Sequence, residues 1–307
     1  MGNFDGVHRG HLKLLNECRR LAQTTGKPLA IATFDPHPLT VLNPAAAPPR
    51  LTSPAIKTER LAAQGVDELI VLPPTPDVLN TTAEQFWEIL SDVARVSHMV
   101  EGETFTFGKG RTGTIARLRE WAARDGVGLS IVDAEEAVLL DLSIVPVSST
   151  LVRWLIAHGR ARDAAILLGR PYALHGTVVE GFKRGRTIGI PTANLRTDDG
   201  QLVPADGVYA GRCEIDGHSY PVALSIGTLP TFGQTNSRQI EGHLIGFDGD
   251  LYGRTIQIDV LDWVREQVKF NGVEALKGQI ARDVEEIKRR ASAVPCRQIA
   301  GLQAAQT

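Results

Sequence analysis

Hydrophobic and polar positions along this chain follow one rhythm in its first half and another in its second. Behind a Gly-rich opening, Leu12, Leu15, Cys18 and Leu21 recur at helical spacing, which predicts a helix entered from a turn. Apolar runs at Leu29–Phe34 and Leu69–Leu72 have strand character, and Leu129–Val132 is a third, weaker candidate. Amphipathic patterns predict helices over Ala55–Gln64, Ala83–Val93, Ile115–Arg124 and Leu151–His158, with a short helix from Arg160 to Leu168. Strands separated by helices imply a parallel sheet covered on both faces, with ligands at the carboxyl ends of its strands. Around Gly169–Tyr172 the pattern changes, and Gly169 and Pro171 end the last of these helices. Strands then follow in succession at Ala173–Glu180, Gly207–Ile215, Ser219–Ile226, Gln239–Gly246 and Thr255–Leu261, with turns between them and one long helix from about Val273 to Arg290. That pattern predicts a small antiparallel β-barrel with a C-terminal helix. The expected domains are residues 1–168 and 169–307, and the Ala/Gln-rich tail after Arg297 is expected to fray.

Composition narrows the partners. The 307 residues are 43% hydrophobic and 22% charged, ordinary for a globular protein of about two domains. Thirty-three basic against 35 acidic residues, with no basic run, argue against nucleic acid or a lipid surface as partner and leave small molecules as the default. Cys18, Cys213 and Cys296 are far apart and lack metal spacing, so a reducing compartment fits best. No apolar run reaches bilayer length and the N-terminus has no signal-peptide pattern, so the expected setting is the cytoplasm.

Candidate chemistry lies in six stretches. In Gly185–Arg186–Thr187–Ile188–Gly189–Ile190–Pro191–Thr192–Ala193–Asn194–Leu195, too polar for a core element, the glycines permit close approach to a ligand and Pro191 stiffens the run. Thr192 and Asn194 sit two apart, so in an extended segment their oxygens share a side and suit Mg²⁺ that takes other ligands from phosphates. A Gly/Pro loop with a capping Thr is the more ordinary explanation of the same spacing. At the N-terminus, Gly2–Asn3–Phe4–Asp5–Gly6–Val7–His8–Arg9–Gly10–His11 sets His8 and His11 on the first turn of the predicted helix, where anions are favoured. Solvated or capping histidines would look the same. Thr33–Phe34–Asp35–Pro36–His37–Pro38 forms a rigid loop after a strand, with His37 open to a structural role. Glu101–Gly102–Glu103–Thr104–Phe105–Thr106–Phe107–Gly108 alternates as a plain β-strand also would. Ser148, Ser149 and Thr150 read as a helix cap that doubles as a phosphate cradle, with Arg153 one turn in. Glu241, alone in the apolar strand Ile240–Leu244, would ordinarily be a solvated edge residue.

Resemblance alters these weights. GRTIGIPTANL resembles the PTAN motif of riboflavin kinases, and GNFDGVHRGH resembles the HxGH signature of nucleotidyltransferases, with an opening similar to that of bacterial FAD synthetases. Ser148–Arg153 resembles that family's Ser-Ser-Thr-x-x-Arg motif. Together with the segment from Glu241 through Asp248–Gly249–Asp250–Leu251–Tyr252–Gly253, the match runs over nearly the whole chain in order. The chain is thus identified as resembling the bacterial bifunctional riboflavin kinase/FAD synthetase family.

The resemblance implies an α/β plus β fold class: a Rossmann-like HxGH nucleotidyltransferase domain followed by the barrel. It implies that riboflavin is phosphorylated by ATP to FMN in the C-terminal domain, with Glu241 as general base, Thr192 and Asn194 on Mg²⁺, and Gly185 and Arg186 at the phosphates. It implies that FMN is adenylylated by ATP to FAD through His8, His11 and Arg153. Gly2, Asn3, Phe4, Gly10, Ser148, Ser149 and Thr150 would hold the nucleotide, and Asp35, His37, Thr104, Phe105 and Phe107 would lie on the flavin side. Lys183 and Arg184 are basic enough to help with the phosphates, although loop cations are more often simply solvated.

Four positions depart from the pattern: Thr104 stands where Asp or Asn is usual, Ser225 for Asn, Leu229 for Arg and Gln267 for Glu. Met1 directly precedes Gly2–Asn3–Phe4, so the apolar strand that the family runs into this loop is expected to be missing. Two other hypotheses stand beside this one: a kinase whose N-terminal domain is only a scaffold, and a flavin-binding module without turnover. The protein is expected to act as a monomer or weak homo-oligomer.

Overall fold

The computed structural model describes residues 1–181, 190–228 and 238–293. It forms two compact units, Met1–Ala137 with Ile144–Ser148, and Val138–Ser143 with Ser149 onward.

In the first unit, helix α1 (Arg9–Thr25) starts at a His8 cap and closes on Gly26, whose φ of 67° suits glycine. Strand β1 (Ala30–Phe34) leads through a short helix α2 (Leu39–Leu42) to α3 (Pro54–Ala62), capped by Ser53 with Pro54 in its first turn. Then come β2 (Glu68–Leu72), α4 (Pro76–Asn80), α5 (Ala83–Glu88), β3 (His98–Gly102), α6 (Ile115–Asp125) and β4 (Gly128–Val132). Strand β1 pairs in parallel with β2, Ala32 opposite Ile70, and β3 with β4, Val100 opposite Ser130. The expected βα alternation with parallel pairing is present. The first residues reach toward both pairs: the Gly2 N–H donates to the Ala32 carbonyl at 3.0 Å, and the Met1 amine meets buried Glu101 at 2.6 Å.

Two apolar clusters hold the unit. Phe4, Val7, Leu15, Leu29, Ile31 and Leu61 bring α1, β1 and α3 together. Trp87, Met99, Phe107 and Leu118 do the same for α5, β3 and α6. The helix expected over Ala83–Val93 is α-helical only to Glu88 and continues as a π turn over Ile89–Val93.

A hairpin of β5 (Glu136–Val138) and β6 (Ile144–Pro146), unmarked in the hydrophobic pattern, precedes α7 (Ser149–Ala157) and α8 (Ala161–Leu168). Both helices group with the barrel that follows. That barrel comprises β7 (Tyr172–Val179), β8 (Ala193–Thr197), β9 (Gly207–Ile215), β10 (His218–Thr228), β11 (Arg238–Leu244) and β12 (Thr255–Arg265), closed in the order β10-β11-β8-β7-β12-β9. Leu174, Val178, Leu195, Val222, Leu224, Ile226, Ile240, Ile256 and Ile258 are buried at alternate positions and fill the interior. The opposite face of β9 and β10 is covered by α9 (Val273–Ala293), where Ile287 packs on Val208, Ala210 and Ala223. Bidentate bonding of Arg265 to buried Asp283, between 2.7 and 3.1 Å, fixes α9 to the end of β12.

Strand β8 was not expected. Residues 193–197 lie within and beyond the polar 185–195 run, and their backbone groups are satisfied by ladders to β7 and β11.

Candidate active sites

The barrel site is built on its outer face. Antiparallel register sets Glu241 directly opposite Ser225 on β10 and directly opposite Asn194 on β8. Side chains directly opposite one another lie about 5 Å apart at Cβ and share a face, so the three form a row across three strands. Leu224, Ile226, Ile240 and Leu195 alternate with them and point inward. The Asn194 amide lies against Gly181, where an added Cβ would stand 2.0 Å from its nitrogen, so only glycine leaves room. Thr192 lies immediately before β8 and lines a cavity of about 310 Å³ with Pro191, Phe247, Asp248, Leu251 and Tyr252.

His243 shares the face of Glu241 two residues on, and its Nδ1 lies 2.8 Å from the Pro191 carbonyl. A carbonyl only accepts, so this nitrogen carries the proton. One strand therefore holds both Glu241 and the residue before Thr192. Two of the departures meet: the Gln267 amide donates to the Ser225 hydroxyl and to the Ile226 carbonyl, both at 3.0 Å. Gly185, Arg186, Lys183, Arg184 and Leu229 lie outside the described residues.

In the first unit, His8 and His11 form a reciprocal capping box. The His11 N–H donates to His8 Nδ1 and the His8 N–H to His11 Nδ1, each at 3.3 Å, while the rings stack with centroids 3.6 Å apart. With Nδ1 accepting, the proton of each neutral ring sits on Nε2, assigned from this bonding pattern. Phe4, nearly fully buried, packs its ring 4.9 Å from that of His11. Phe4 and Val7 hold φ of 46° and 41°, left-handed values that are costly for such side chains and that the packed loop sustains. A Cβ on Gly10 would meet the His8 ring at 3.2 Å and the Val147 carbonyl at 3.3 Å, so glycine lets the helix start approach Val147–Ser148.

Ser149 and Thr150 open α7 and Arg153 follows on it, in the barrel's compact unit, while Ser148 belongs to the first. Asp35 bonds Arg50 at 3.1 Å. His37 Nδ1 accepts the Leu39 N–H at 3.1 Å, at the start of α2. Thr104 is exposed, whereas Phe107 is buried against Phe86, Phe105 and Trp121 and serves the core.

Sequence reasoning passed over Asp5 and Lys57. The Asp5 carboxylate accepts the N–H groups of Leu51 and Thr52 and so ties the opening loop to the segment before α3. Lys57 is buried although charged. Its signal is positional, because it lies one turn before buried Leu61 on the apolar face of α3. No described group of three or more His, Cys, Asp or Glu side chains forms a metal cage. Burial lifts the Cys18 thiol to about 11 and Cys213 to about 12, which leaves neither as a nucleophile at neutral pH.

An HxGH loop thus lies on the parallel-stranded unit and an acid–amide row on the closed barrel. Residues 1–150 match the FAD synthetase family and residues 168–291 the riboflavin kinase family. The bifunctional riboflavin kinase/FMN adenylyltransferase of Listeria monocytogenes is 34% identical over 290 residues, covering 94% of this chain and 90% of that one. The protein of the same name from Escherichia coli K12 is 36% identical over 287 residues, covering 92% and 89%. A solved structure described as a macrolide-efflux protein from Streptococcus pneumoniae superposes with a TM-score of 0.85 at 32% identity, over 94% of this chain and 92% of that one. This chain belongs to the bifunctional riboflavin kinase/FMN adenylyltransferase family. No described helix is long and apolar enough to cross a membrane.

Proposed function

We propose that residues 169–307 transfer the γ-phosphoryl group of ATP to the riboflavin 5′-hydroxyl, and that residues 1–168 join the resulting FMN to the AMP moiety of a second ATP, giving FAD. The observation that carries the kinase assignment is the direct pairing of Glu241 with Asn194, two residues after Thr192, on the barrel's outer face. A ribityl hydroxyl is a poor nucleophile, and a carboxylate within hydrogen-bond reach takes its proton as its oxygen bonds to the γ-phosphorus and ADP departs.

The oxygens of Thr192 and Asn194 fit Mg²⁺. They are two neutral, hard donors, and the Asn194 amide packs directly over Gly181, where a Cβ would displace it. When bound with the nucleotide, the ion would neutralise charge on the transferring phosphoryl group. The cavity bordered by Thr192, Phe247 and Tyr252 would take the phosphate donor.

In the adenylyl step, an FMN phosphate oxygen bonds to the α-phosphorus of ATP while the bond to the β-phosphate breaks and pyrophosphate leaves. His8 and His11 would donate from Nε2 to the phosphates at the start of α1, and Arg153 with Ser148, Ser149 and Thr150 would hold the leaving phosphates. Both steps are in-line displacements without a covalent enzyme intermediate, which suits a chain whose described cysteines stay protonated. The proposal includes a cytoplasmic setting and a monomer or weak homo-oligomer.

The test incubates the full chain with riboflavin, ATP and Mg²⁺ and separates the flavins by chromatography. FMN and FAD are both expected from the wild type. Glu241→Gln should abolish FMN formation while riboflavin still binds and added FMN is still converted to FAD, and unimpaired FMN production by this variant would remove Glu241 from the mechanism.

A further inference from the structure

Lys57 lies on α3, 8% exposed and one turn before buried Leu61. Its Nζ donates to the Thr33 hydroxyl at 3.2 Å, the Phe34 carbonyl at 3.3 Å and the Asn3 carbonyl at 3.5 Å. The Thr33 hydroxyl donates in turn to the Asn3 carbonyl at 3.1 Å, which closes the group on itself. All three partners of the ammonium are neutral oxygens. Burying an ammonium costs much when no carboxylate pairs with it, and an apolar side chain of similar length would fill the same space. The nearby charges are committed elsewhere: Asp35 bonds Arg50, and Asp5 bonds Leu51 and Thr52. What the ammonium does touch is the carboxyl end of β1 and the backbone of the opening loop, where ligands of parallel sheets bind.

We propose that Lys57 is a positioning residue of the adenylyl-transfer half, a buried fixed cation that locks the Asn3 loop to the end of β1 and sets positive potential behind the bound phosphates. The inference rests on the adenylyltransferase reading above. A fixed charge in a dry site acts on developing phosphate charge without reorganisation during the reaction. A purely structural tie would need only the hydrogen bonds.

Titration separates the two. Desolvation lowers the Lys57 pKa, opposed by the charges of Asp35 and then Asp5, while Arg50 adds to the lowering. The cation is therefore lost below the ordinary alkaline range of lysine, and adenylylation should fall with it as pH rises.

The experiment follows FAD formation from added FMN, ATP and Mg²⁺ across neutral to alkaline pH, using the full-length chain, with FMN formation from riboflavin as the control in the same molecule. Lys57→Met should lower kcat for FAD formation at least tenfold at neutral pH, lack the alkaline limb, and leave riboflavin phosphorylation unchanged. Lys57→Arg retains a charge that does not titrate, so its alkaline limb should move to higher pH or vanish. Adenylylation by Lys57→Met within twofold of wild type, or an alkaline limb shared by all three proteins, would overturn the proposal. If circular dichroism shows Lys57→Met to be misfolded, the Lys57→Arg profile decides alone, and an unmoved limb sinks the idea. A wild-type chain that makes FMN but no FAD would instead defeat the adenylyltransferase reading, and this inference with it.

Discussion

His11 caps α1 through its Nδ1, and in the proposed adenylyl step its Nε2 would donate to the phosphates. His11→Ala should therefore stop FAD formation, spare FMN formation, and also cost about 1 kcal/mol of stability through the lost cap, as chromatography and chemical denaturation would measure. His243 offers a graded counterpart in the other half. Its Nδ1–H···O bond to Pro191 holds the segment that ends in Thr192 and Asn194. A neutral hydrogen bond is worth about 0.5–1.5 kcal/mol, so His243→Ala should reduce riboflavin kinase kcat/KM roughly two- to tenfold and raise the Mg²⁺ concentration needed for half-activity. Adenylylation of added FMN should stay at the wild-type rate.

At the scale of elements, one aromatic stands where the barrel meets the turn between α7 and α8. Trp263 on β12 stands beside Gly159, between the two helices, and beside Gly207 at the start of β9. A Cβ at Gly159 would lie 2.5 Å from the Trp263 ring, and the glycine holds a φ of 74°. Gly159→Ala combines left-handed strain with overpacking and should cost about 2–4 kcal/mol, read as a lower denaturation midpoint of the barrel unit. Strand β8 makes the complementary point. Its polar residues are held in a barrel by ladders on both sides, because backbone pairing and the buried Leu195 satisfy a strand whose Asn194 faces the other way.

For the whole molecule, acid should be the sensitive direction. Asp125, bonded by Arg124 and by the Trp87 indole N–H, is held down at about 2. Asp141 is likewise near 2 through the Ser143 hydroxyl, the Ser143 N–H and Arg160, and Glu286 near 2 through Arg289 and Arg290. Each binds its proton less readily folded than unfolded, so its contribution is complete above the usual carboxylate range near about 4 and is lost as pH falls toward about 2. These three carboxylates add no pH dependence between neutral pH and about 5, and their contribution should decline below it. Trp87 fluorescence would follow the loss of its Asp125 partner within that decline, and an unchanged denaturation midpoint between pH 5 and pH 2.5 would contradict the assignment.

The sequence by itself determined the two periodicities, hence parallel βα units followed by an antiparallel barrel and a terminal helix, because side-chain spacing reports local geometry directly. It also carried the motif residues, His8, His11, Asn194 and Glu241 among them, since their types and spacing are local facts. Tertiary structure alone decided what those residues face. Register, which no local pattern encodes, set Glu241 opposite Asn194 and Ser225. Long-range packing buried Phe107 among Phe86, Phe105 and Trp121 and put α7 and α8 with the barrel. It also sank Lys57 beneath the opening loop as a buried cation, because which oxygens converge on its ammonium depends on the elements that meet there.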